Sequence, residues 1–411
     1  MPSDPEWLAT LTEEERLAQR RVRDLAEPFS LPTGSRLGLD DGVIFPPEHF
    51  PPGTPPTAVV LVDFEDQPMV KAVAGFRTLF FSVGAMPTKS VREYFRDTSS
   101  DKVDFEGEVV GPFRMPHPIT YYATGNAGMS TNPPNARNMA ADALAAADGH
   151  INFKPYDNDG NGFVDAFIVV HAGRGAEQTG DRIRNIWSLK WVLPQVTVAD
   201  GVKVYAFLTV PEDAKIRVCA HELGHLVFGW PDLYDTDGSS RSIGSWCLMS
   251  AGSWGGGGTK PCHPSAWCKA NQGWACVHNE TTNRTLTLRN VKKINEVHRL
   301  WTNGGASKEY FLLENRQQEG FDASLPGEGL LIWHINDNIE NNRNEPLYKV
   351  GLEQADGLRQ LGMNSAGSGD PGDLFPGSTV NRNFTAATNP NSRAHDGHDT
   401  KLRETQHQQG T

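Results

Sequence analysis

EDAKIRVCAHELGHLVFG, residues 212–229, reads as a helix that carries polar chemistry within an apolar face. Pro211 stands just before it and Gly229 at its end, the usual start and stop signals, and Pro231 blocks its continuation. Within it His221, Glu222 and His225 form H-E-x-x-H. Residues four apart stack on one helix face, so both imidazoles reach one ion. Glu222, about 100° round the helix, reaches a water in the open position. By chance the pattern is expected about 0.02 times in a chain of this composition. The competing reading is an amphipathic helix whose histidines cap or pack, but the motif in this context favours zinc. A zinc enzyme needs a third protein ligand, and GWPDLYDTDG at 229–238 offers Asp232, Asp235 and Asp237. A Gly turn that brings the chain back presents Asp232 first. Met249, in GSWCLMSAGSWGGGG, lies in a tight-turn context that can pass beneath the site; standing alone, such a Met is more often core.

Outward from this helix, strands and helices alternate. TAVVLVDF at 57–64 is a continuous β-branched and aliphatic run suited to a central strand, and FVDAFIVVHAG at 163–173 and VKVYAFLTV at 202–210 are two more buried runs. Between them come a helix over SVREYF with Ser90 as N-cap, a hairpin-like VDFEGEVVG, and an Ala-rich helix at 138–147. Downstream lie Gly-rich loops and the strands EYFLLENR and GLLIWHI. Residues 5–26 read as a charged helix, joined by the Pro-rich FPPEHFPPGTPP at 45–56.

YDNDGNGFVD holds a second pattern. Asp157, Asp159, Asn161, Gly162 and Asp165 occupy positions 1, 3, 5, 6 and 9 of an EF-hand-like loop, with the Phe163 carbonyl at position 7. Ile168 stands where the closing Glu belongs, so the loop reads as a structural calcium site docked on a strand; the plainer reading is an Asp/Asn/Gly turn. Glu353, Asp356, Asp370 and Asp373 are weaker acidic candidates, read as solvated loop. The five cysteines, 219, 247, 262, 268 and 276, are too few for a disulfide scaffold. A bridge from Cys262 to Cys268 or Cys276 competes with burial as free thiols, and His263 between Cys262 and Cys268 fits no C-x-x-C metal spacing.

Composition limits the partners. With 38% hydrophobic and 21% charged residues the chain has a globular balance, against disorder or a coiled coil. Lys and Arg number 38 against 50 Asp and Glu, a net charge of −12 that disfavours nucleic acid. No run approaches the roughly 18 apolar residues of a membrane span, and the N-terminus shows no signal-peptide pattern. Oligomeric state is not encoded in any recognisable pattern.

These residues resemble the secreted zinc metallopeptidases of the immune inhibitor A type. The histidine–glutamate helix runs on into GWPDLYDTD, then IGSWCLMSAGSW, then PSAWCKANQGW. The likeness extends over about residues 57–397 through SVREYFRDTSS, the Asp-rich loop, the strand with HAG, FLLENRQQEGFDASLPGEGLLIWHIND and DLFPGS. The resemblance implies an α/β, zincin-like (metzincin-like) peptidase domain, a mixed twisted sheet with an active-site helix and a loop-rich lower subdomain. It divides the chain into an N-terminal helix and connector (1–56), a zinc metallopeptidase domain (57–397, upper half 57–229, lower half 230–397) and a polar tail (398–411). It further implies an extracellular setting, protein or peptide substrates, zinc on His221, His225 and Asp232, Glu222 as general base, and Met249 as a Met-turn. The alternative is a catalytically inactive, calcium-stabilised binding module of the same fold; a zinc hydrolase acting on another amide is a third. Two departures stand out. Gly229 and Asp232 each come one residue later after His225 than in the family, so an extra residue such as Phe228 must be absorbed by a longer last turn or a bulge, with Asp235 or a more distant Glu as fallback ligand. Leu189 in IWSLKW replaces a histidine.

Overall fold

PTAVVLVD becomes the strand β1 (Pro56–Asp63), buried in all but its first residue. The structure is a computed structural model and describes residues 55–158, 160–364 and 367–405. The helix expected at 5–26, nearly all of the Pro-rich connector, Asp159 and residues 406–411 lie outside these. The described residues form a mixed α/β fold in two compact units, 55–97 with 101–231, and 98–100 with 232–405.

The first unit is built on a five-stranded sheet. Helices α1 (Val73–Phe81) and α2 (Val91–Ser99) lead to β2 (Glu106–Arg114); α3 (Ala136–Ala147) leads to β3 (Phe167–His171), β4 (Leu189–Ala199), β5 (Val202–Pro211) and α4 (Ile216–Leu226). The strand order is β2-β1-β3-β5-β4. β1 pairs in parallel with β2 and β3, β3 in parallel with β5, and β4 closes the edge antiparallel to β5. Strands covered on both faces need unbroken apolar sequence, which is why β1 and β3 show no alternation. Met139, Ala140, Ala143 and Leu144 of α3 share a core with Val60, Val62 and Val169, and each large aliphatic side chain so buried contributes about 1.5–3 kcal/mol. Ser90 caps α2: its Oγ accepts from the Glu93 N–H at 3.2 Å, and the Glu93 carboxylate accepts from the Ser90 N–H at 3.0 Å.

Two sequence readings are corrected. VDFEGEVVG is no hairpin, since its second half runs on as β2 and finds its partner in β1 rather than in its own preceding residues. The metal-motif helix does not follow directly on Pro211, which ends β5; it starts at Ile216. The intervening carboxylates are spent on loops: Glu212 accepts the main-chain N–H groups of Val70 (2.6 Å), Lys71 and Gly173 (3.1 Å), and Asp213 accepts that of Gly175 (3.3 Å).

The second unit contains a short helix, α5 (Ala266–Asn271), and the strands β6 (Cys276–Glu280), β7 (Glu296–Leu300), β8 (Glu309–Arg316), β9 (Gly329–Asn336) and β10 (Val350–Leu352) in the order β10-β9-β8-β7-β6. β6 and β7 are parallel and the other pairs antiparallel. Its core contains charge. Glu314 accepts from Lys269 Nζ at 2.6 Å, Arg316 at 3.2 Å and Trp333 Nε1 at 3.0 Å, and Arg316 also forks onto Asp322 at 2.5 and 2.6 Å. Burial alone would raise the Asp322 carboxyl, but Arg316 outweighs it and holds it at about 2. Within the polar segment from residue 398, β12 (Arg403–Thr405) pairs antiparallel with β11 (Asn383–Thr385).

Candidate metal centre

α4 forms because IRVCAHELGHL combines helix-tolerant residues with apolar side chains on every face, and Ile216 through Gly224 are all buried. Burial on every face carries His221 and Glu222 to zero exposure, while His225, one turn on, is partly open. The two imidazoles meet edge to face with centroids 4.7 Å apart and Nε2 atoms 3.1 Å apart. His225 Nδ1 lies 2.6 Å from the Trp230 carbonyl. A carbonyl only accepts, so Nδ1 carries the proton and Nε2 presents its lone pair.

The extra residue near Phe228 is absorbed at the end of this helix. Val227 remains helical, its N–H bonding Leu223 O at 2.9 Å, and Gly229 turns left-handed at φ 63°. Trp230 N–H then returns to Gly224 O at 3.0 Å, one residue wider than the six-to-one closure of a Schellman end. The inserted Phe228 is buried against Phe95, Phe105 and Trp230, with ring centroids 5.4, 6.1 and 5.0 Å away. Only Gly takes the left-handed turn without a Cβ penalty, and Pro231 then keeps Trp230 extended.

Asp232 follows, buried, and its carboxylate joins the histidines: ligand atoms of His221, His225 and Asp232 all lie within 4.8 Å of one another. Two nitrogens bound about 2.0–2.1 Å from a tetrahedral zinc lie about 3.3 Å apart, close to the 3.1 Å seen here. The donor set of two imidazoles and a carboxylate therefore fits zinc.

Asp235 is engaged elsewhere. Its Oδ1 accepts from Asp237 N–H at 2.9 Å and its Oδ2 from Ser239 Oγ and Ser240 N–H, each at 2.8 Å. Burial pushes its carboxyl up to about 6 against those hydrogen bonds. Met249 is fully buried and its carbonyl accepts from Leu233 N–H at 2.8 Å, directly after Asp232.

In the Asp-rich loop Asp157 Oδ2 accepts from Gly162 N–H (3.0 Å), Asp165 Oδ2 from Asn158 N–H (2.6 Å), and Asn161 Oδ1 from Phe163 N–H (2.8 Å). Ile168 lies in β3. No metal-ligand group is formed there among the described residues. All five cysteines are free thiols, four of them buried and Cys276 exposed. Asp373, read as solvated loop, is buried and accepts from Trp246 Nε1 at 2.9 Å; burial raises its carboxyl to about 6.

Sequence reasoning missed two buried polar residues of the first unit. His171 has zero exposure and bonds the Ala172 carbonyl through Nδ1 at 2.9 Å; burial lowers its pKa. Glu177, also fully buried, accepts from Ser188 Oγ at 2.8 Å and Ser188 N–H at 3.2 Å; burial raises its carboxyl, opposed by Arg217 of α4. His171 stands in the HAG strand already quoted for the resemblance, without a role assigned to it; the signal for Glu177 was IWSLKW, read for its missing histidine rather than for Ser188.

Known proteins bear out the resemblance. Residues 59–276 match the model of the immune inhibitor A peptidase M6 catalytic domain. The pre-pro-metalloprotease PrtV of Vibrio cholerae is 28% identical over 293 residues, 63% of this chain and 32% of the relative. Immune inhibitor A of Bacillus thuringiensis subsp. alesti is 30% identical over 207 residues, 42% of this chain and 30% of the relative. The chain thus spans about a third of the length of these curated relatives. With the catalytic-domain match covering the metal helix and the turn after it, this chain belongs to the immune inhibitor A peptidase M6 family.

Proposed function

We propose that this chain is a zinc-dependent endopeptidase with a zincin-like active site. The observation that carries the reading is the convergence of His221, His225 and Asp232 inside the region matched by the family's catalytic domain. Bound there, zinc supplies Lewis-acid activation of a water and of the scissile carbonyl. Everything else falls to the chain. Trp230 fixes the His225 tautomer and ring orientation through its carbonyl, and such a bond to the far nitrogen of a ligating imidazole is typically worth about 10- to 100-fold in metal affinity. Asp232 provides the third ligand, because Gly229 and Pro231 turn the chain immediately after α4 and Asp235 is saturated by its own loop. Glu222, adjacent to His221, takes the water proton and returns it to the departing amine. Met249 forms the turn that holds the backbone beside Asp232 in place.

The substrates are proteins or peptides, in keeping with the pre-pro-metalloprotease it resembles, and the setting is extracellular, as the family resemblance implies. None of the described helices is long and apolar enough to cross a membrane. The domain limits inferred from sequence, with the peptidase domain at 57–397, belong to the same proposal. So does a structural calcium ion on Asp157, Asp159, Asn161, Phe163 and Asp165. Its support is that Asp157 Oδ1 is buried with no hydrogen-bond partner, beside a Gly162 held at φ 86°. Casein or gelatin cleavage by the purified chain, stopped by phenanthroline and restored by zinc, tests the enzymatic reading. Cleavage unaffected by the chelator would overturn it.

A further inference from the structure

A second cluster of imidazole and carboxylate groups lies wholly within the second unit. β8 and β9 are antiparallel with Phe311 opposite His334 and Glu309 opposite Asn336. β10 pairs Gly351 with His334, and Glu353 follows that strand. The chain between β11 and β12 delivers His395. Ligand atoms of Glu309, His334 and His395 all lie within 4.8 Å of one another. Glu309 Oε1 is 2.8 Å from His334 Nε2 and 3.9 Å from His395 Nδ1, and the two imidazole centroids are 4.2 Å apart.

Three features distinguish this from a chance surface ion pair. His334 is buried, and its other nitrogen, Nδ1, lies 3.0 Å from Glu353 Oε1. A carboxylate on the far nitrogen of a ligating imidazole is how proteins orient and strengthen such ligands. His395 Nδ1 already acts as an acceptor, taking the Asn336 amide N–H at 3.1 Å while Asn336 Oδ1 is fixed by Asn338 N–H at 3.1 Å. Nδ1 is therefore the unprotonated nitrogen of His395, and it lies 3.9 Å from Glu309 Oε1. The Phe311 ring, 4.3 Å from that of His334 and itself 5.3 Å from Phe384, backs the group with apolar surface.

We propose that Glu309, His334 and His395 form a second metal site, structural in role and taking a divalent transition ion of the zinc class. Two imidazole nitrogens and one carboxylate oxygen suit zinc, whereas calcium and magnesium take oxygen ligands. The ion takes the place of the proton on His334 Nε2 and of the Asn336 amide on His395. Its position is that of a staple: Glu309 and His334 lie on the sheet, and His395 lies in the segment that ends in β12. The main-chain N–H of His395, donated to Glu309 Oε1 at 2.6 Å, already marks the docking point.

The test uses the full chain carrying His221→Ala, which disables the α4 centre and leaves this cluster as the remaining candidate group of zinc ligands among the described residues. Zinc chloride is titrated against a chromophoric chelator. The expected result is one zinc bound per chain, with affinity falling at least tenfold when His395→Ala or Glu309→Gln is added, and about 10- to 100-fold for Glu353→Gln. A His221→Ala chain that binds no zinc overturns the proposal and leaves an ion-pair clasp. Equal binding by the His395→Ala and Glu309→Gln double variants overturns it too. Cobalt(II) added to the His221→Ala chain gives a readout without a second substitution: the intense d–d bands of four-coordinate cobalt are expected, and only the weak absorption of hydrated octahedral cobalt counts against the site. Because the readout is metal content, it stands or falls separately from peptidase activity.

Discussion

Asp232 and Asp235 are three residues apart and chemically identical, yet their surroundings assign them opposite tasks. Asp232 points into a histidine pair; Asp235 is consumed by three hydrogen bonds from the loop that follows it. Asp232→Ala should therefore lower zinc affinity by orders of magnitude in a chelator competition, while Asp235→Ala keeps one zinc at the α4 centre and lowers the melting temperature. The reverse pattern would move the ligand to Asp235. Glu222→Gln should keep zinc and lose about 10²- to 10⁴-fold in kcat, the usual worth of a general base; a variant retaining a tenth of the turnover would reassign that role. His221, Glu222 and His225 were legible because chemistry fixes both their identity and their spacing. Glu177 was not, and Glu353 was read only as solvated loop, since their partners Ser188 and His334 reach them only through tertiary folding.

At the scale of elements, the end of α4 carries the most consequence. Its seven-to-one closure depends on Gly229 in the left-handed region, where an L side chain costs about 1–2 kcal/mol. Gly229→Ala should lower stability in urea by about that amount. It should also weaken zinc binding, because the turn sets the Trp230 carbonyl that holds His225. Unchanged zinc affinity in a destabilised variant would show the turn to be structural only. Sequence indicated that one residue must be absorbed here, but not how, because a bulge and a widened turn have the same composition. The strands β1, β3 and β5 were readable from unbroken apolar runs. β2 was misread because GEVVGPFR alternates like a hairpin arm, and its parallel partner lies more than 40 residues earlier in the chain.

Across the whole molecule, two sets of charges govern response to conditions. Asp322, held at about 2 beside Arg316, has an ordinary unfolded value near 3.9. A carboxyl depressed on folding contributes stability above its unfolded pKa and loses it as pH falls through the folded one. Thermal melts should therefore fall steeply between about pH 4 and pH 2. Asp322→Asn should flatten that limb and be less stable at pH 7, because Arg316 loses a buried partner, a loss typically worth about 3–5 kcal/mol. A variant with the wild-type acid limb would place the titration elsewhere. Calcium at the Asp157 loop would stabilise by RT ln(1 + [L]/Kd), about 2.7 kcal/mol at a hundredfold excess over Kd. The melting temperature of the wild type should then depend on calcium, and that of Asp157→Ala should not; identical calcium-free and calcium-loaded melts would make the loop an ordinary turn.

The distribution of thiols makes the chain its own reporter of opening. Cys276 is exposed and should react with an alkylating reagent at once, whereas Cys219 is sealed within α4 and Cys247, Cys262 and Cys268 within the second unit. A buried thiol is modified only in molecules whose surroundings have opened, so its labelling rate measures a local opening free energy. Mass spectrometry of the labelled peptides would thus time the breathing of the metal helix through Cys219, two residues from His221, against that of the charged core through the other three. Zinc should slow the Cys219 clock first.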